Sequence, residues 1–217
     1  MPEPCAILWD MDGVLVDSGQ VHYQAWQKVL QPYPIPYSWD IFAHTFGMTN
    51  TAIIQYLFQN PSPEFIRGLD EEKELQFRAK VPGNVKEIPG ARKWLGQFHT
   101  WNYPQAICSS APPANIETIL DEMQLRPYFS ALVSAVKMAS KPDPAVFLTA
   151  AEMLQIPPER CIVFEDAPAG IKGARRAGMK CIALTTTHPA DDLQEADLVI
   201  GNLAQLEPAQ FQQFLLR

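Results

Sequence analysis

Five short apolar runs limit the fold more than any other feature of the chain. Residues 5–9 (CAILW), 105–108 (QAIC), 161–164 (CIVF), 180–184 (KCIAL) and 197–200 (DLVI) are too short for globular helices and show little polar alternation. A strand with one wet face alternates apolar and polar residues, whereas a strand that is apolar on both sides must be covered on both. Amphipathic stretches of helical length lie between these runs, at 91–99, 114–124, 144–154 and 168–177. Pro144 and Pro168 stand where a helix begins and Gly178 where one ends. Strand and helix in alternation predict an α/β fold: a Rossmann-like, open, mostly parallel sheet with right-handed crossovers and helices on both faces.

Residues 18–80 interrupt the alternation with helical patterns only, at 18–30, 38–46, 49–58 and 63–80. In the first, Val21, Ala25, Trp26, Val29 and Leu30 fall on one face. Proline-rich breaks at 32–36 (PYPIP) and 60–63 (NPSP) separate the helices. The expected organisation is an α/β core from residues 1–16 and 87–217, with an all-helical domain inserted at 17–86.

The formal net charge of -7 argues against a nucleic-acid or anionic-membrane surface, since both need clustered Lys and Arg. No run approaches the roughly 18 apolar residues of a membrane span. The beginning, MPEPCAILWD, lacks the basic stretch of a signal peptide, so a cytoplasmic location is expected. Cys5, Cys108, Cys161 and Cys181 form no C-x-x-C pair and read as buried, reduced thiols in strands.

In an open parallel sheet ligands bind beyond the carboxyl ends of the strands. Polar residues placed directly after the apolar runs are therefore informative: Asp10, Asp12 and Gly13 after the first, Ser109 and Ser110 after the second, Glu165 and Asp166 after the third. Lys141 precedes a PDP turn. Acids crowded beside a core repel each other and lose hydration, so something must offset that cost.

The D-x-D-G start at Asp10, the hydroxyl after the second strand, the Lys-Pro pair and the E-D-x-x-x-G run resemble the haloacid dehalogenase-like hydrolase superfamily. The match is ordered and runs from Asp10 to the TTTHP segment at 185–189. The helical insert after the first motif is similar to the cap of the branch that holds β-phosphoglucomutase and many small-metabolite phosphatases. The resemblance implies phosphoryl transfer through an aspartyl-phosphate. Asp10 would be nucleophile and metal ligand, and Asp12 general acid and base with a backbone carbonyl on the metal. Asp166 would be a Mg²⁺ ligand, and Glu165 a ligand directly or through water. Ser109 and Lys141 would hold the transferring phosphoryl group, with Gly13 and Ser110 at the phosphate. A carboxylate nucleophile splits one hard displacement into two easier ones, and a dication relieves the repulsion between anions. His22 often has a family counterpart near the hinge, and Lys73 would reach the substrate from the cap.

Taken singly, these residues have plainer readings. Asp17 and Ser18 are expected to cap the first insert helix, Asp166 alone could cap 168–177, and Lys73 alone could belong to a solvated face. His22 alone could pack beside Trp26.

A binding protein that kept only the fold would be expected to have lost an acid or Lys141, and none is missing. A dehalogenase generally lacks the second aspartate, which is present here as Asp12. A mutase of this branch needs an Arg in the second cap helix to grip a second phosphate. Here the segment FGMTNTAII carries Thr49 and Asn50 instead. The expected activity is therefore Mg²⁺-dependent hydrolysis of a small, sugar-phosphate-like metabolite, with β-phosphoglucomutase-type transfer as the alternative.

Overall fold

The computed structural model describes residues 5–216. Its eight strands are β1 (Ala6–Trp9), β2 (Val16–Asp17), β3 (Lys86–Glu87), β4 (Gln105–Ser109), β5 (Ala131–Ser134), β6 (Cys161–Glu165), β7 (Lys180–Leu184) and β8 (Leu198–Ile200). Six of them form one sheet in the order β5-β4-β1-β6-β7-β8, and every neighbouring pair is parallel. β2 and β3 form a separate antiparallel ladder in which Val16 faces Glu87 and Asp17 faces Lys86. The five strands expected from the apolar runs are present, each within a residue or so of its predicted bounds. β5 carries no such signature: as an edge strand it alternates buried with half-buried residues along ALVS.

The α-helices of the α/β part are α5 (Ala91–Thr100), α6 (Pro113–Glu122), α7 (Ala145–Leu154), α8 (Pro168–Arg176) and α9 (Pro208–Leu216). Alternation along β1 sends its side chains to two different cores. Ala6 and Leu8 join Ala106, Cys108, Val163 and Cys181 against Val146, Phe147 and Ala150 of α7 and Ile171 and Ala174 of α8. Trp9 turns the other way. It stacks on Phe164 with ring centroids 4.3 Å apart and meets Phe98 of α5, which in turn packs on Phe211 of α9. Each such buried side chain stabilises the fold by roughly 1.5–3 kcal/mol. The indole N–H of Trp9 donates to Gln105 Oε1 (3.0 Å), and the Gln105 amide donates to the Leu95 carbonyl (3.0 Å), so neither polar group is stranded. Both faces of the sheet are thus covered, which is why the strands read as unbroken apolar runs. All four cysteines are free and buried.

The chain divides into two compact units, one running to Asp17 and resuming at Lys86, the other spanning Ser18–Val85. The second unit holds α1 (Gly19–Leu30), α2 (Trp39–Thr45), α3 (Asn50–Leu57) and α4 (Pro63–Lys80). It has its own core of Trp26, Val29, Leu30, Phe42, Ile53, Ile54 and Leu69. Three of its helices start on hydroxyl caps: Ser38 accepts from Ile41 N (3.3 Å), Thr49 from Ala52 N (3.2 Å) and Ser62 from Phe65 N (3.2 Å).

The expected caps of α1 are different. Ser18 occupies the N-cap position with a helical backbone and makes no side-chain cap bond, and Asp17 is exposed in β2 opposite Lys86. The antiparallel ladder claims the backbone there before a cap geometry can form. Among the described residues no helix is long and apolar enough to cross a membrane.

Candidate active site

The chain runs from β1 outward through β4 to β5, then crosses back to β6 on the other side of β1. That reversal leaves a crevice beside β1 at the carboxyl ends of the strands, where open α/β sheets bind ligands. Asp10 stands at its mouth because the β1–β6 ladder runs one residue past the strand, with Asp10 N donating to the Phe164 carbonyl (3.0 Å). The chain then folds back tightly: Leu15 N and Val16 N both donate to the Met11 carbonyl (2.9 and 3.2 Å).

The side chains converge from distant parts of the sequence. Lys141 Nζ donates to Asp10 Oδ1 (2.6 Å), Glu165 Oε1 (2.7 Å) and the Cys108 carbonyl (3.0 Å). It therefore ties the ends of β1, β4 and β6 together. Glu165 Oε2 accepts from the backbone N–H groups of Asp166 (3.0 Å) and Ala167 (3.2 Å), so both of its oxygens are engaged. One oxygen from each of Asp10, Glu165 and Asp166 lies within 4.8 Å of the others.

Asp10 and Glu165 share one ammonium with Asp166 close beside them, and the proton affinities of Asp10 and Asp166 reflect the crowding. Burial, more than any other cause, pushes the Asp10 carboxyl up to about 7, with Lys141 pulling it down and Glu165 and Asp12 pushing it further up. Asp166 is also raised, first by burial and then by the charges of Glu165 and Asp10. Lys141 stays a firm cation: burial opposes its charge, but Asp10 and Glu165 outweigh that and raise its pKa. The cluster keeps an excess of negative charge in a set of hard oxygen donors, which suits a divalent cation such as Mg²⁺. Asp10 and Asp166 are the better placed to hold one, since Glu165 already serves Lys141 and the following loop.

The other anticipated residues divide between the two units. Ser109, buried at the end of β4, accepts from Ala111 N (3.0 Å) and keeps its proton to donate. Ser110 is exposed and Asp12 half-buried in the turn after β1. Gly13 sits at φ +82°, and its N–H is spent inside the turn on the Val16 carbonyl (2.8 Å). Its role is space: a Cβ there would stand 2.0 Å from Asp166 Oδ2.

His22 and Lys73 lie in the helical unit and meet each other, Lys73 Nζ being 3.0 Å from His22 Nδ1. Lys73 is buried rather than solvated, donates to Glu74 (2.8 Å) and lies over the Trp26 and Phe77 rings. Asn50 Nδ2 joins the same group through Asp70 Oδ1 (2.6 Å) and Glu74 Oε1 (2.5 Å).

Four further residues, present in the sequence only inside motifs and given no role there, shape the site. Thr186 donates to the Gly13 carbonyl (2.5 Å), and Thr187 hydrogen-bonds the Asp166 carboxylate. His188 Nδ1 lies 3.1 Å from the Asp166 carbonyl. Gly170, on α8, leaves the room that Glu165 fills, because a Cβ there would fall 1.9 Å from its carboxyl carbon. The hydroxyls stood inside the TTTHP segment, and the glycine closes the E-D-x-x-x-G run.

The sequence pattern of the haloacid dehalogenase-like hydrolases matches residues 7–184, a range that holds Asp10, Ser109, Lys141, Glu165 and Asp166. The chain belongs to that family. Among its relatives, a validoxylamine A 7'-phosphate phosphatase from Streptomyces hygroscopicus subsp. limoneus is 30% identical over 92% of this chain and 94% of its own length. A fructose-1-phosphate phosphatase from Escherichia coli (strain K12) is 31% identical over 81% of this chain and 94% of its own. Among solved structures, a β-phosphoglucomutase from Clostridium difficile superposes with a TM-score of 0.87 at 25% identity, covering 98% of this chain and 97% of that one. The chain is thus an enzyme of the haloacid dehalogenase-like hydrolases, with named phosphatases and a mutase in its neighbourhood.

Proposed function

We propose that this enzyme is a cytoplasmic, Mg²⁺-dependent phosphatase that hydrolyses a small phosphorylated metabolite of sugar-phosphate type through an aspartyl-phosphate on Asp10. The observation that carries the reading is the buried Lys141 ammonium held between Asp10 and Glu165, with Asp166 completing the acidic cluster. Lys141 favours the ionised form of Asp10 against its burial, the form a nucleophile requires, and with the Ser109 hydroxyl it steadies the oxygens of the transferring group.

A carboxylate oxygen of Asp10 attacks phosphorus as the ester P–O bond breaks. Asp12 gives its proton to the departing alkoxide. It then takes a proton from the water that hydrolyses the acyl phosphate, and inorganic phosphate leaves with Asp10 restored. The carboxylates of Asp10 and Asp166 and the Asp12 carbonyl would hold Mg²⁺, which would supply the positive charge that lets one anion approach another. The position of Gly13 keeps the first loop close against Asp166, and Ser110 adds a hydroxyl at the phosphate. Within the helical unit Lys73 is buried against His22 and Glu74, so the pair serves that unit's polar interior.

Hydrolysis is preferred to mutase chemistry because the segment FGMTNTAII, residues 46–54, carries no Lys or Arg for a second phosphate. Thr49 is occupied as the α3 cap, and Asn50 is bonded to Asp70 and Glu74. The overall charge of -7 disfavours nucleic-acid and membrane partners. The test is phosphate release from a panel of sugar phosphates with Mg²⁺ and with EDTA. Release should need Mg²⁺ and vanish in Asp10→Asn. A hexose-phosphate isomerisation that requires a bisphosphate and outruns phosphate release would replace this reading with the mutase.

A further inference from the structure

We propose that Thr187 is a positioning residue for Asp166: from the loop after β7 it fixes the orientation in which that carboxylate meets the divalent cation. The inference rests on the Mg²⁺ reading of the site and adds residues that neither the strand-end pattern nor the motif order assigns. Thr187 Oγ1 bonds the Asp166 carboxylate Oδ2 and lies 3.2 Å from the carbonyl of the same residue. A hydroxyl has one proton to give, and an ionised carboxylate has none, so Thr187 donates to Oδ2.

His188 fixes the other side of that hydroxyl. Its Nδ1 stands 2.9 Å from Thr187 Oγ1 and 3.1 Å from the Asp166 carbonyl. A carbonyl can only accept, so Nδ1 carries the proton and donates to both oxygens. The threonine hydroxyl therefore points its own proton at the carboxylate. Thr186, one residue earlier, donates to the Gly13 carbonyl (2.5 Å), so the same three-residue segment holds the first loop as well. The Thr187 methyl also borders Gly13, since a Cβ on that glycine would lie 2.9 Å from Thr187 Cγ2. Asp166 Oδ2 is thus directed by Thr187, which leaves the second carboxylate oxygen for the ion. Bonding partners of this kind commonly change metal affinity 10–100-fold.

Thr187 is itself exposed, so replacing it threatens the fold little. Its exposure also supplies the rival outcome, in which water replaces the hydroxyl. The experiment measures Mg²⁺ binding alone, by calorimetry on the full chain freed of metal with EDTA, for wild type, Thr187→Val, Thr187→Ala and Thr187→Ser. Thermal unfolding in EDTA is run alongside.

The expected result is Mg²⁺ affinity 10–100-fold weaker in Thr187→Val and Thr187→Ala, restored in Thr187→Ser. The metal-free unfolding temperature should stay within about 4 °C of wild type, as for a surface change. Wild-type affinity in Thr187→Val or Thr187→Ala would overturn the proposal while leaving the Mg²⁺ reading intact. Equal weakening in Thr187→Ser would also overturn it, since the hydroxyl would not be the cause. A wild-type chain that binds no Mg²⁺ would instead defeat the metal reading itself, and this inference with it.

Discussion

Replacing Lys141 with Met keeps the volume of the side chain and removes the one ammonium that joins Asp10 to Glu165. Both ion pairs are close, at 2.6 and 2.7 Å, and their side chains are 9%, 13% and 1% exposed for Lys141, Asp10 and Glu165. At an effective dielectric constant near 20, charges at such separations attract by about 6 kcal/mol per pair, most of which offsets desolvation. Removing one partner leaves buried carboxylates uncompensated, a change that costs about 3–5 kcal/mol. For a chain of this size that is roughly 6–20 °C in unfolding temperature.

The deficit should also depend on pH. The folded Asp10 carboxyl titrates at about 7 against an ordinary 3.8, so between those values the folded state binds more protons than the unfolded one. Stability then falls as pH rises through that window. Lys141 holds this carboxyl down, so the variant should move it further up and extend the window above 7. The assay is thermal unfolding in EDTA, which should show a larger deficit at pH 8 than at pH 5. An unchanged unfolding temperature at pH 8, or a deficit that ignores pH, would refute the electrostatic account.

Gly170→Ala places a Cβ 1.9 Å from the Glu165 carboxyl carbon, so Glu165 must leave Lys141 or α8 must shift. The expected cost is about 1–3 kcal/mol with a large loss of activity, read by urea unfolding and phosphate release. Adding Mg²⁺ should flatten the fall in wild-type stability between pH 5 and pH 8, because a bound cation replaces protons at the acidic cluster; parallel melts with Mg²⁺ and EDTA check this. Burial holds the thiols of Cys5 and Cys161 up at about 12 and raises those of Cys108 and Cys181 as well. A thiol-reactive dye at pH 8 should therefore label none of the four in the native protein and all of them in guanidinium.

The strands with two covered faces were readable because burial on both sides writes itself as an unbroken apolar run. β5 was not, since its ALVS is short, alternates buried with half-buried positions and ends on a serine, whereas β8 at the other edge keeps the apolar run LVI. The two-residue strands β2 and β3 are too short for any periodic signal. In the site, Asp10, Ser109, Glu165 and Asp166 stood out because a polar residue directly after a buried run sits on the sheet's rim. Lys141 was legible only through the order of motifs: nothing local tells that its ammonium reaches Asp10, 131 positions away. Thr187 and Gly170 were hidden for another reason. A hydroxyl in a loop and a glycine in a helix are common, and only the three-dimensional neighbour gives either a task. Lys73 reversed its plain reading, since a lysine among the acids of α4 looks solvated until the opposing His22 and Trp26 are placed over it.

The pairing of Asp17 with Lys86 in the β2–β3 ladder means that the chain departs from the α/β unit and returns to it at adjacent residues. A segment fastened at a single doorway can change length at small entropic expense, since each doubling of a closed loop adds only about 0.6 kcal/mol. The helical stretch is therefore a cassette: it can be traded for another, or shortened to a tight turn, without re-threading any strand of the sheet. Exchanging such a cassette for a relative's should leave the six-stranded sheet and the acidic cluster at its strand ends in place.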